Sequence, residues 1–241
     1  MTVTLQAIIY STLAGVSTVL GAIIVLILGR PGRRTLSVLL GFAAGIMLAI
    51  SAFELIPEAL EFSTLPLAAA GFIFGGIVMW IIDRIIPHLH LMSDAEDTNL
   101  VRTGYLVVLG IALHNLPEGL AIGAGLEASP ELSLFIAISI GLHNIPEGMA
   151  TTGPLKAGGL TTGAILLLNL LAGLMTPLGT ILGLIFFGLT AGLIGAGLAF
   201  AGGAMIYIAI NELIPEAQKT SQSFANAGIF LWIMLGFMIF S

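Results

Sequence analysis

The sequence contains no cysteine, and only 8 % of its 241 residues are charged. Without cysteine the chain can form no disulfide, thiolate metal site or cysteine nucleophile. A soluble domain usually carries about 25 % charged residues, so 7 basic and 13 acidic side chains are too few to cover a soluble surface of this size. The chain also lacks the basic face that binding to nucleic acid requires. These shortages exclude an ordinary soluble enzyme, a disordered protein and a nucleic-acid-binding protein.

Apolar residues dominate instead, at 58 % of the chain and a mean hydropathy of +1.12. We predict one all-α, polytopic membrane domain over residues 1–241, because the apolar runs are longer and more continuous than the strands of a membrane β-barrel. The first run lacks the positive flank of a signal peptide and is expected to be a retained span. Eight transmembrane helices are predicted, at Val3–Leu28, Leu36–Leu60, Leu65–Ile86, Gly104–Leu126, Leu132–Thr152, Leu160–Phe187, Leu193–Ile214 and Phe224–Phe240.

The few basic residues indicate an orientation for these spans. Every lysine and arginine falls at an odd-numbered loop, whereas the even-numbered loops carry only acidic residues. By the positive-inside rule the odd loops are cytoplasmic, and both termini lie outside. The agreement also supports the count of eight, because a missed span would break the alternation. The basic residues are Arg30, Arg33, Arg34, Arg84, Arg102, Lys156 and Lys219.

Two short motifs each occur twice. ELIPEA is found at Glu54–Ala59 in span two and at Glu212–Ala217 in span seven. The motif HN-x-PEG is found at His114–Gly119 in span four and at His143–Gly148 in span five. Copies that are five spans or one span apart cross the bilayer in opposite directions. We therefore predict an inverted 3+2+3 repeat, an architecture common among secondary transporters.

The HN-x-PEG motif places three metal-binding side chains on one side of a helix. At about 100° per residue, the histidine lies about 40° to one side of the glutamate and the asparagine about 60° to the other. Imidazole and carboxylate suit a divalent transition metal, and the absence of thiolates argues against copper(I). The histidines with both glutamates are predicted to form a four-ligand site, and the asparagines with the same glutamates a second, weaker one. The candidate ligands are His114, Asn115, Glu118, His143, Asn144 and Glu147.

A structural role is the competing interpretation of these residues. A single histidine in an apolar run is more often a hydrogen-bonded core residue than a ligand. The duplicated set is different, because each charge at the centre of a membrane helix costs about 2.5–3.5 kcal/mol on insertion scales. Such groups persist only where they are paired, protonated, metal-bound or in contact with water, which favours a functional site.

The ELIPEA motifs add two glutamate pairs at i,i+4 spacing, so each pair shares one helix face. Glu54 and Glu58 lie near the outer end of span two, and Glu212 and Glu216 near the cytoplasmic end of span seven. We interpret them, together with Asn211, as parts of a transport path. Solvated or capping carboxylates at the membrane interface are an equally weighted alternative.

The eight spans, outside termini and doubled HN-x-PEG motif resemble the ZIP (Zrt/Irt-like) divalent-metal transporters, in particular their compact prokaryotic branch. The resemblance covers the whole chain. It implies uptake across the cell membrane into the cytoplasm, with zinc as the first candidate and iron(II), manganese and cadmium as others. It also implies a homodimer and an elevator-like motion of spans one, four, five and six against the rest. In the family pattern the main metal site matches His114, Glu118, His143 and Glu147, and a second site matches Asn115, Asn144 and the shared glutamates.

The chain departs from the binuclear members of that family at one position. Those members carry a glutamate just before a proline in span six, where this chain has Thr176 before Pro177. Asn144 is also neutral, whereas some members have an aspartate there. With two acids fewer, Thr176 is at most a neighbour of a weak second site, and we predict one tightly bound metal at the histidines.

Two other functions fit parts of the pattern. An intramembrane metal-dependent hydrolase would also use histidine and glutamate within the membrane, but no metalloprotease motif is present. A carrier of protons or organic substrates would not need two complete ligand sets. We therefore predict a transporter and not an enzyme, with the metal ion as substrate, no organic cofactor, and the lipid bilayer as its surroundings.

Overall fold

A computed structural model describes residues 3–85, 100–187 and 189–240 of the chain. In that part of the chain every regular element is a helix and no strand is present. Among the described residues, seven helical stretches are long and apolar enough to cross a membrane, and Gln222–Met238 is a shorter apolar helix in the position of the eighth. The all-α prediction is confirmed, and the helices occupy all eight predicted positions.

Most helices extend a few residues beyond the predicted apolar runs, and polar residues cap two of these extensions. Ser129 and Thr190 accept hydrogen bonds from the backbone N–H groups of Leu132 and Leu193, the usual arrangement at a helix N-terminus. The predicted end of span three, Ile86, lies outside the described residues. The helices run over Val3–Leu28, Arg33–Ile50, Ile56–Phe62, Leu65–Ile85, Leu100–Ala128, Pro130–Ala157, Thr162–Gly173, Met175–Phe187, Ala191–Ile208, Ile214–Thr220 and Gln222–Phe240.

Spans two and seven each contain a π-helical segment, over Ser51–Leu55 and Ala209–Leu213. The backbone N–H of Ile56 donates to the carbonyl of Ser51, five residues earlier, and Ile214 repeats this with Ala209. A proline follows each segment, and a proline ring clashes with the carbonyl four residues before it. The wider turn accommodates that clash, so both ELIPEA motifs share one local distortion, of a kind often found at functional sites.

Span six is broken at Leu174, between the helices Thr162–Gly173 and Met175–Phe187. Pro177 lies just beyond the break and supplies no N–H to the Gly173 carbonyl four residues earlier. The break lies where span six crosses span one, because a methyl group placed on Gly15 would collide with the Gly173 carbonyl. The two backbones therefore meet at a pair of glycines.

The spans pack in two groups, one formed by spans one, four, five and six and the other by spans two, three, seven and eight. Within the first group, span one packs on span five as span six packs on span four. Within the second, span two packs on span eight as span seven packs on span three. Exchanging spans one to three with six to eight, and four with five, leaves this pairing unchanged. The pairing is what an inverted repeat would produce, and the repeat itself stays a prediction.

Glycines allow the closest of these contacts. A methyl group on Gly148 would collide with the Thr18 carbonyl, and one on Gly119 with the Thr176 carbonyl. Spans four and five are thus held directly against spans six and one, and their HN-x-PEG motifs lie inside the first group of helices.

Candidate metal site

Glu118 of span four and His143 and Glu147 of span five form a buried cluster. One ligand atom from each residue lies within 4.8 Å of those of the other two. Nε2 of His143 lies 2.9 Å from Oε1 of Glu118. All three side chains are at most 1 % exposed. Two helices that cross inside the bundle therefore bring together three of the four ligands predicted for the main site.

Carboxylate oxygens in this cluster lack partners. Glu118 Oε2 and both carboxylate oxygens of Glu147 are buried without a hydrogen bond. A buried carboxylate without a partner is costly, and two neighbouring ones repel each other as well. A divalent cation is the simplest ligand that would satisfy both carboxylates and the imidazole together, since this donor set suits zinc and similar ions.

The fourth predicted ligand, His114, is placed elsewhere. Its Nε2 lies 2.9 Å from Oε1 of Glu212 in span seven, and it does not belong to the three-residue cluster. His114 is 4 % exposed and the Glu212 side chain 10 % exposed. The contact joins the two groups of helices, because span four belongs to the first and span seven to the second.

Asn115 and Asn144 are held by the neighbouring helices through their amide nitrogens. Asn115 Nδ2 donates to the carbonyl of Ala172 at 2.9 Å, and Asn144 Nδ2 donates to the carbonyl of Ala14 at 3.0 Å. Both side chains are fully buried, and the Oδ1 atom of each has no partner. Thr176 is also fully buried with an unpartnered hydroxyl. Beyond the shared glutamates, the residues predicted for the second site and its neighbour Thr176 therefore offer only neutral oxygen atoms without partners.

A cavity of about 420 Å³ extends from the buried cluster toward one end of the bundle. Glu147 lines its inner part, and the ion pair of Glu216 with Lys219, 2.7 Å between Oε2 and Nζ, lies in its wall. Its lining also includes Arg30 and Pro31 of loop one and Arg33, the first residue of the helix that follows. The charged and histidine side chains that line it are Arg30, Arg33, His114, Glu147, Glu212, Glu216 and Lys219.

The remaining predicted path residues lie apart from this cavity. Glu54 and Glu58 are half-buried on span two and do not line it. Asn211 faces span three, where its Nδ2 donates to Asp83 Oδ2 at 3.0 Å and lies 3.1 Å from the hydroxyl oxygen of Tyr207. The structure therefore places Asn211 in a contact between spans three and seven.

Two features of the structure were missed by sequence reasoning. Asp83 and Tyr207 were not proposed as partners, and no sequence signal joins residues so far apart along the chain. The second feature is a repeat that the sequence itself contains. The pattern LAG-x-x-T-x-LG occurs at Leu13–Gly21 and again at Leu171–Gly179. Both alanines whose carbonyls accept from the asparagines lie in this third repeat. Thr18 and Thr176 occupy equivalent positions in its two copies.

Comparison with known proteins gives a consistent result. The family model described as "ZIP Zinc transporter" matches residues 1–99 and 90–241, which together cover the chain. A protein named zinc transporter GufA, from Myxococcus xanthus, is 35 % identical over 221 residues, or 87 % of each chain. Proteins named zinc transporter ZupT, from Enterobacter sp. (strain 638) and Escherichia coli O127:H6, are 38 % identical over 88 % of this chain and 86 % of their own.

Proposed function

The chain belongs to the ZIP zinc transporter family, and we propose that it takes up zinc across the cell membrane into the cytoplasm through the site between spans four and five. Members of this family are membrane transporters and not enzymes. The family assignment therefore excludes the intramembrane hydrolase that the ligand types alone had left open.

The observation that carries the proposal is the buried cluster of Glu118, His143 and Glu147 with its unpartnered carboxylate oxygens. Without a cation, these carboxylates raise the free energy of the folded protein. One imidazole and two carboxylates leave open coordination positions around a bound ion. A substrate ion needs such positions, because it must arrive and leave.

The cavity supports release on the cytoplasmic side. It begins at Glu147, and its lining includes Arg30 of the basic loop one and Lys219 at the end of span seven, next to loop seven. By the positive-inside rule those loops face the cytoplasm. The lining also includes His114, Glu212 and Glu216, whose imidazole and carboxylate groups would bind an ion as it leaves. In this proposal Glu54 and Glu58, at the other end of the bundle, would receive the ion from outside.

The donor chemistry also supports the proposed substrates. Imidazole with carboxylate binds zinc, iron(II), manganese and cadmium, and it discriminates among them by geometry more than by ligand type. The asparagine side contributes only neutral oxygen atoms beyond the shared glutamates. We therefore propose one tightly bound divalent ion at a time, at the cluster.

Uptake of labelled zinc into proteoliposomes tests the proposal. Glu118→Gln removes one charged ligand with little change in shape, and we expect the initial rate to fall at least about tenfold. Glu127→Gln is the matched control, because Glu127 is exposed near the end of the same helix. Wild-type uptake no faster than protein-free liposomes, or equal rates for the two variants, would contradict the proposal.

We also propose a homodimer, based on the exposed apolar surface of span three. Span three is the least buried of the seven long spans, with 17 % of its most apolar window buried. Ile73, Phe74 and Trp80 expose large apolar side chains along it. An exposed apolar surface of this kind can be covered either by lipid or by a second copy of the chain. Mass measurement of the protein in lipid nanodiscs separates a dimer from a monomer.

A further inference from the structure

We propose that the outer part of the cavity, lined by Arg30, Arg33 and Gly153, binds a small polycarboxylate anion of the class that chelates divalent metals. Such an anion would take over the metal ion as the ion leaves the protein. The inference rests on the proposed function, because it takes this cavity as the way out for the ion.

The charges in the cavity wall change sign from its inner to its outer part. Glu147 of the buried cluster lies in the inner part. Gly153 follows six residues later on span five, about 9 Å nearer the end of that helix at 1.5 Å per residue, and Arg30 packs beside it. On span two the lining extends from Leu40 back to Arg33, the first residue of its helix. A carboxylate therefore lies at the inner end of the cavity and two arginines at the outer end.

Arg30 is held against the wall of span five. A methyl group placed on Gly153 would lie 2.6 Å from Nε of Arg30 and 2.7 Å from its Nη2. The guanidinium group therefore packs directly on the backbone of Gly153, in space that any larger residue at position 153 would fill. This contact keeps the positive charge inside the cavity, although the side chain of Arg30 as a whole is exposed.

The two arginines lack acidic partners. Lys219, the third basic residue in the cavity wall, is neutralised by Glu216 at 2.7 Å. No carboxylate in the described part of the chain forms an ion pair with Arg30 or Arg33. Two guanidinium groups in the same cavity are therefore free to bind an anion.

These free charges are unfavourable for a bare metal ion. A divalent cation that leaves Glu147 must pass two fixed positive charges, and charges of like sign repel each other. A bound anion with several carboxylates removes this repulsion. Some of its carboxylates pair with the guanidinium groups, which bind carboxylates in a bidentate manner, and the others remain available to the metal.

The size of the cavity suits a small molecule. Its volume of about 420 Å³ lies within the range of small-molecule sites, roughly 300–1,000 Å³. Leu36, Leu40 and Ile111 form apolar parts of its wall. A small polycarboxylate fits this space, whereas a macromolecular polyanion would reach only its edge.

Calorimetric titration of the metal-free protein in detergent with citrate tests the site, with chloride keeping the ionic strength constant. We expect saturable binding to wild type. Arg30→Gln and Arg33→Gln each remove one charged donor group, so each should weaken citrate binding at least about tenfold. Gly153→Ala keeps both arginines and adds a methyl group where the Arg30 guanidinium lies, and it should weaken binding as well. No binding to wild type would overturn the proposal.

Arg34→Gln is the matched control. Arg34 directly follows Arg33 but does not line the cavity, and its Cζ lies 5.5 Å from the centre of the Phe224 ring. This variant loses the same charge and should bind citrate as wild type does. Equal weakening by Arg33→Gln and Arg34→Gln would show that the basic residues attract anions only through their overall field, and would overturn the proposal. Inorganic phosphate that binds as tightly as citrate would contradict a site for polycarboxylates.

Citrate trapped inside proteoliposomes tests the transfer of the metal. We expect it to raise the initial rate of zinc uptake by wild type and by Arg34→Gln more than by Arg30→Gln. Equal stimulation of all three would show that citrate only removes zinc from the vesicle interior, and would contradict a role of the site in release. Failure of the proposed function is distinct, since it appears as no zinc uptake by wild type, whereas citrate binding to the metal-free protein does not depend on transport.

Discussion

The residues that matter most are polar groups left without partners inside an apolar bundle. Glu147 has two such oxygen atoms, and Asn115, Asn144 and Thr176 have one each. Nearly all buried polar groups in native proteins are hydrogen-bonded. A concentration of exceptions among the side chains predicted as ligands is what a cation-binding site is expected to show.

Thr176 provides a test at this scale. Thr176→Glu adds a carboxylate to the neutral side of the site, and we expect a zinc titration to change from one tightly bound ion to two. The metal-free variant should melt lower than wild type, because the added charge is buried without a partner. Isothermal titration calorimetry in detergent gives the stoichiometry.

The control for this substitution is Thr176→Gln, which adds similar bulk without charge and should leave one ion. Two equally tight ions in the wild type would contradict the predicted single site. One ion in both variants would show that position 176 does not reach the metal.

At the scale of elements, close packing between helices holds the site in place. Gly148 lies against the Thr18 carbonyl and directly follows Glu147. The glycine therefore sets the distance between spans five and one next to the candidate ligand Glu147. In such contacts the backbone of one helix touches the backbone of another. Backbone atoms cannot change rotamer to relieve a collision, as a flexible side chain can.

Gly148→Ala tests this packing. The added methyl would collide with the Thr18 carbonyl, and we expect a loss of about 1–3 kcal/mol, typical of overpacked cores. Gly163→Ala is the control, because nothing lies within 4 Å of the methyl it would add. Alanine favours a helix over glycine by up to about 1 kcal/mol, so this control should be neutral or slightly stabilising in detergent unfolding. A Gly148→Ala protein as stable as the control would contradict the contact.

A second link between elements joins spans three and seven. The Tyr207 hydroxyl donates to Asp83 Oδ2 at 3.0 Å, and Asn211 donates to the same oxygen. Tyr207→Phe removes one hydrogen bond to a half-buried carboxylate and should cost about 1 kcal/mol. Tyr105→Phe is the control, since Tyr105 is 48 % exposed. Equal melting temperatures for the two variants would show that the bond contributes nothing measurable.

For the whole molecule, the main prediction concerns which side the cavity opens to. Because the chain has no cysteine, one introduced cysteine reports accessibility without background. Ala150 lines the cavity, and we expect Ala150→Cys to react with a membrane-impermeant maleimide added from the cytoplasmic side. Thr64→Cys, at an exposed position in loop two, should react only from outside. The reverse pattern in oriented vesicles would invert the proposed topology and direction of release.

The sequence alone was sufficient for the class of protein, the positions of its helices and the side-chain types of its candidate metal site. Those properties are local. A run of apolar residues predicts a membrane span, and the HN-x-PEG motif predicts a helix face with several metal-binding side chains. The same reasoning placed His114 with Glu118, because both lie on one side of a helix. It could not include Glu212, which is 98 residues further along the chain and bonds to His114.

Only the tertiary structure decided which helix faces meet. It paired His114 with Glu212, anchored Asn115 on Ala172, and turned Asn211 toward Asp83. Each pairing depends on how two helices cross, and crossings are set by packing of small residues such as Gly15 and Gly173. The sequence by itself therefore determined which residue types the candidate site contains, and helix packing decided how those residues are arranged.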